Sequence, residues 1–144
     1  MSKIIAEGLV RLYTEQSQHV VVVKVFETKE DMHDHYSKLT GKIEERDVVA
    51  YTTGKDWGLQ DGFGPANEIL LVDGSIDLRL IVHECTHAAN DIYLVDYVKP
   101  KDEATKHYAR DQEPIAYLMG DLVVAILGLL KDLNVKVSMK NLNL

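Results

Sequence analysis

The stretch IVHECTHAAND, residues 81–91, decides how the rest of the chain is read. It sets two histidines four residues apart and places a glutamate directly after the first. On an α-helix of about 3.6 residues per turn, positions four apart differ by roughly 40° and one turn of rise, so His83 and His87 project the same way. Two neutral imidazoles so placed reach one zinc ion at about 2.0–2.1 Å, while Glu84, next round the helix, addresses the metal's open position. Zinc held by three protein ligands brings the pKa of its water to about 7. Glu84 is then placed to take that proton while the metal polarises a substrate carbonyl, and to return it to the leaving amine. The opposing reading is a chance alignment, but a chain with 6 His in 144 residues seldom produces HExxH by accident.

Working outward, Ser75 reads as a helix cap, and Leu78, Ile81, Val82, Cys85, Ala89 and Ile92 recur at spacings of three and four as a core-facing stripe. Cys85 lies on that stripe, turned about 100° or more from the histidine line, and reads as a small buried hydrophobe. Asp91, four residues beyond His87, either accepts the free ring N–H of a metal-binding histidine or is an ordinary helix-surface aspartate.

Two histidines leave a catalytic metal short of one ligand, and the downstream candidates are Asp96, Glu103, His107, Asp111 and Glu113. Tyr93 stands where the HExxHxxGxxH arrangement needs a third histidine, which removes the metzincin pattern. Glu113 is preferred because it opens a long helix beginning near Pro114, able to hold a carboxylate within the narrow tolerance of a metal. Against this stands the simpler role of an acidic residue favouring a helix N-terminus. In that helix Ile115, Leu118, Met119, Leu122, Val123, Ile126, Leu129 and Leu130 form one apolar stripe. A narrower face carries Glu113, Ala116, Tyr117, Gly120 and Val124, whose small residues predict close packing on the HECTH helix.

At these residues a family likeness enters. HECTHAAND resembles the HExxHxxxD segment of gluzincins such as thermolysin, and EPIAYLMGDL resembles the ExxAYL segment of small zincin-like peptidases, many of them phage or prophage encoded. The match covers about forty residues, 81–122, and nothing in the first eighty. The resemblance implies a minimal zincin-like α+β fold: a small twisted mixed sheet packed against the HExxH helix, with a C-terminal glutamate helix closing the site. It implies one Zn2+ on His83, His87 and Glu113, with Glu84 as general base. It also implies that an extended peptide adds to a strand edge, for which NEILLV, residues 67–72, is the expected strand. The chain departs from the thermolysin pattern at Tyr117, where an aspartate is usual. No motif marks a transition-state donor, leaving His107, Tyr108 and Arg110 as candidates.

Before Gly74 the pattern is strand-like. HVVVVKVFE (19–27), DVVAYTT (47–53) and NEILLV are β-branched runs, and IIAEGLVRLYT is read as the first arm of a hairpin turning at EQSQ, with a short helix as the alternative. TKEDMHDHYSKLTG between them reads as a helix with Thr28 as N-cap and Gly41 as stop. His33 and His35, two apart on that helix, point about 200° from each other and are expected to be exposed titrating groups, not a metal pair. GKDWGLQDGFGP lacks the P-loop lysine and hydroxyl residue, so it reads as a loop packed by Trp57 and Phe63 rather than a phosphate cradle.

The bulk composition agrees with one domain spanning residues 1–144: 46% hydrophobic and 27% charged residues suffice for a single core. A net charge of −7 argues against a nucleic-acid surface or an anionic membrane partner. One cysteine and no recognisable signal peptide point to the cytoplasm, and Asp121 inside PIAYLMGDLVVAILGLL makes that run a buried helix rather than a bilayer span. The expected activity is therefore zinc-dependent peptide hydrolysis on a peptide or protein substrate, with room for a protein activator or regulator. Two rivals remain: a non-catalytic zincin-fold module that keeps the metal, and a structural zinc site closed by a fourth ligand such as Asp91 or His107.

Overall fold

The computed structural model describes residues 3–14, 18–41, 47–54, 66–94 and 113–139. Strands β1 (Ile4–Tyr13) and β2 (Gln18–Phe26) pair antiparallel, from Leu12 opposite His19 to Ile4 opposite Phe26. The hairpin reading of the first segment holds; residues 15–17 of its turn lie outside the described set. The period is two: Val21, Val23 and Val25 are fully buried on one face, with Leu12 beside them. Gly8 lets the covering helix come close, since a Cβ there would lie 2.6 Å from the Leu129 Cδ1 methyl and the leucine side chain would have to move aside.

Helix α1 (Lys29–Thr40) follows and starts and stops where its sequence predicts. The Thr28 side chain accepts from Asp31 N, and Gly41 takes φ 72° to close the last turn onto Ser37 O. The helix carries the chain over the outer face of the sheet, burying Met32 and Tyr36 against Phe26, Leu70 and Val72. The chain then enters β3 (Ala50–Thr53), which runs opposite to β2, and reverses into β4 (Ala66–Val72), which inserts between them, parallel to β2 and antiparallel to β3. The sheet order is β1-β2-β4-β3. NEILLV is thus an interior strand, laddered on both sides, and the edge expected there belongs to β3. A proline at Ile69 or Leu71 would break the sheet rather than a peptide contact.

His33 and His35 also differ from expectation. They diverge, as two helix positions two apart must, but both are half-buried and engaged. His33 Nε2 lies 3.0 Å from Val48 O and its Nδ1 2.8 Å from Tyr51 Oη. Since a carbonyl only accepts, Nε2 carries a proton and the Tyr51 hydroxyl donates to Nδ1 in the neutral ring. His35 meets Glu68 at 3.3 Å and tilts against Phe26.

Helix α2 (Leu78–Tyr93) carries the HECTH motif across the inner face of the sheet. Its cap is Asp77, not Ser75: Asp77 Oδ1 accepts from Leu80 N at 2.7 Å. The start is held there by the far end of the chain, where Ser138 N donates to Ile76 O at 2.8 Å and Asp77 bridges Ser138. The buried line is Ile81, Cys85, Ala88, Ala89 and Ile92, whereas Val82 is 39% exposed. Val82 sits about 100° round from Ile81, at the margin of the stripe.

Helix α3 (Glu113–Asp132) packs on α2 and β1. Its predicted stripe is correct in the centre, with Leu118, Leu122, Ile126 and Leu130 buried in the core shared with α2. The small-residue face does not approach the HECTH helix. Tyr117 and Val124 are 68% and 72% exposed, and a Cβ at Gly120 would meet nothing within 4 Å. Four large residues filling one side of the helix outweigh two small ones on the other, because buried apolar area sets the contact. By length and composition Pro114–Asp132 could also cross a membrane, but here its apolar stripe belongs to the core of an α+β fold with a mixed four-stranded sheet.

Candidate metal and catalytic centre

His83 and His87 are both exposed on α2, and their Nε2 atoms lie 3.2 Å apart with the rings edge-on at 82°. Two imidazole lone pairs at that distance repel unless something electrophilic sits between them, either a proton on one ring or a cation shared by both. A tetrahedral zinc with two nitrogens at 2.0–2.1 Å separates them by roughly 3.3 Å. The Nε2 separation thus matches that of two ligands sharing one zinc ion.

Glu84 is buried, 4% exposed, beside His83. Its Oε1 accepts from the Thr52 hydroxyl at 2.7 Å, and its Oε2 lies 3.9 Å from His83 Nε2. The two oxygens have separate duties: one is fixed to the edge strand β3, the other faces the histidine pair. Thr52 is held in turn by β3, where it pairs with Ile69 of β4.

On the far side of His87 lies Asp91, buried at the end of the sheet. Asn67 Nδ2 donates to Asp91 Oδ2 at 2.7 Å and to Thr53 O at 3.1 Å. Because both partners are acceptors, the amide orientation is fixed by the network. Asp91 and His87 line a cavity of about 130 Å³ with Thr52 and Asn90. Asp91 is thus a held, inward-facing carboxylate beside the second histidine rather than a surface residue.

A larger cleft of about 440 Å³ opens between residues 47–50 and the first turns of α2, reaching His83 and Glu84. Its floor includes Val48, Ala50 and Leu80. At its lip Asp47 pairs with Lys29, whose ammonium holds the exposed carboxyl below its usual range. Cys85 is fully buried behind the site. Burial, with the neighbouring Glu84 charge, pushes its thiol up to about 12, which disfavours the thiolate form that a nucleophile or a metal ligand needs.

Of the residues singled out in the sequence, the structure brings together His83, Glu84, His87 and Asp91. Glu113 opens α3 as expected, and its side chain lies outside the described set, as do Asp96, Glu103, Asp111, His107, Tyr108, Arg110 and the loop of Trp57 and Phe63. Among the described residues no third His, Cys, Asp or Glu completes a metal-binding group with the histidine pair. Thr52 and Asn67 were missed. Neither sits in a motif, and only the pairing of β3 and β4 brings them to α2.

This geometry is that of a helix-borne histidine pair with an adjacent anchored carboxylate. No family model, curated protein or solved structure matches the chain.

Proposed function

We propose that the protein is a zinc-dependent metallopeptidase, with His83 and His87 as ligands, Glu84 as general base and, on the motif resemblance alone, Glu113 as the third ligand. The supporting observation is the 3.2 Å separation of the two Nε2 atoms with the Glu84 carboxylate beside them. Zinc bound there supplies a Lewis acid and a water acidified to near neutrality. His83 and His87 serve as neutral donors. Glu84 Oε2 accepts the proton of the attacking water and delivers it to the leaving amine, while Thr52 keeps Oε1 from turning towards the metal. An extended peptide lies along the outer side of β3, the last strand of the sheet among the described residues, whose backbone runs past Glu84 and fixes the scissile bond by main-chain hydrogen bonds. The cleft at residues 47–50 takes one flanking side chain of that peptide.

The test pairs zinc stoichiometry with hydrolysis of a peptide library in wild type and Glu84→Gln. One zinc per chain in both proteins, with hydrolysis only in wild type, is the expected result. Tight zinc without cleavage of any peptide by wild type would instead favour the non-catalytic module, and unfolding on chelation a structural site.

A further inference from the structure

We infer that β1 is a self-complementary edge through which two copies of the chain join their sheets. Strand β1 closes one side of the sheet order, and its ten residues span about 34 Å at the usual rise. A long unpaired edge is normally blunted, because its free backbone groups template pairing with another chain. The inner face of β1 is covered by α3, with Gly8 against Leu129. The outer face is open beyond the irregularity between Ile4 and Ala6: Leu9 is 44% exposed and Tyr13 71%, with half-buried Val22 directly across from Leu9.

The charges on this face specify the partner. Glu7 and Arg11 alternate with the apolar residues, and neither has an ionic partner among the described residues. They are too far apart along one extended strand, about 13 Å, to neutralise each other. A second β1 running antiparallel about a two-fold axis at Leu9 places Leu9 against its own copy. It sets Glu7 opposite the second copy's Arg11 on both sides of the axis. From Glu7 to Arg11 every residue in this register keeps its face, and the irregularity between Ile4 and Ala6 bounds the regular edge on that side; the four-stranded sheet extends into eight strands. Edge charges usually repel a like strand; here their spacing makes them complementary. An unrelated strand has no reason to carry the inverse order at the same spacing, whereas a second copy carries it by symmetry.

Sedimentation velocity and light scattering of the full chain at increasing concentration test this. Wild type is expected to reach twice the 16.2 kDa chain mass. Glu7→Arg and Arg11→Glu, each setting like charges opposite one another twice, should weaken the dimer roughly tenfold or more. The double variant Glu7→Arg/Arg11→Glu restores opposite charges and should restore the dimer; both positions are exposed, and circular dichroism checks the fold of each protein. A wild-type chain that stays monomeric to about 100 µM, where even weak contacts fill, overturns the inference. So does a dimer indifferent to the single exchanges, or one that the double exchange fails to rescue. None of these readouts depends on zinc or hydrolysis.

Discussion

Thr52 Oγ1 donates to Glu84 Oε1 at 2.7 Å, tying the edge strand of the sheet to the carboxylate beside the histidine pair. One hydroxyl thus couples the strand that would carry substrate to the group that would move the proton.

Removing that hydroxyl should act on both stability and chemistry. Thr52→Val leaves a buried carboxylate oxygen without its donor and is expected to cost about 1–3 kcal/mol in urea unfolding. Peptide hydrolysis should fall while zinc affinity stays close to wild type. Thr52→Ser keeps the donor and should recover most of both losses. Equal behaviour of the Val and Ser variants would count against the hydrogen bond as the cause.

The histidine pair should act as one unit towards zinc. His83→Ala and His87→Ala are each expected to weaken zinc by more than about a hundredfold in chelator competition, beyond what loss of a supporting partner costs. Asn67→Ala, which removes a donor from Asp91, should weaken it by about tenfold or more. A single histidine variant that binds zinc like wild type would remove the pair from the metal site.

Acid stability should carry the mark of Glu68. Burial raises its carboxyl, but hydrogen bonds and charge from His35 and Lys24 prevail and hold it below its ordinary 4.5. A carboxyl lowered by folding contributes stability that is present above its unfolded value and lost as pH falls through the folded one. Melting temperature should therefore decline below about pH 4.5 in wild type and decline less steeply in Glu68→Gln. Parallel curves for the two proteins would place the acid sensitivity elsewhere.

Cys85 should be silent towards thiol reagents. With its thiol pushed up to about 12 and its side chain buried, alkylation at pH 8 should be negligible in the folded chain and rapid in denaturant. Rapid labelling under native conditions would mean that α2 leaves the sheet easily.

What could be read from the sequence was what is decided locally. The 40° offset of His83 and His87 follows from helix geometry, and the limits of α1 follow from Thr28 and Gly41. What could not be read was decided by distant pairing. NEILLV carries no sign of whether one or both of its sides are laddered, and its interior place emerges only when β2 and β3 are set against it. Ser75 is a sound local cap, overruled because Ser138 pins the chain at residues 76–78. On α3 the periodic stripe is legible, but the small residues Ala116 and Gly120, whose size predicts a contact face, are open to solvent. Thr52 and Asn67 were invisible for the same reason as the strand order.

The clasp between Ser138 and the start of α2 has a consequence for biosynthesis. Histidines at 83 and 87 leave the ribosome long before the segment that steadies their helix, so during translation the start of that helix lacks its anchor. Trimming or premature termination ahead of Val135 would release that clasp and leave the motif intact in writing but slack in space.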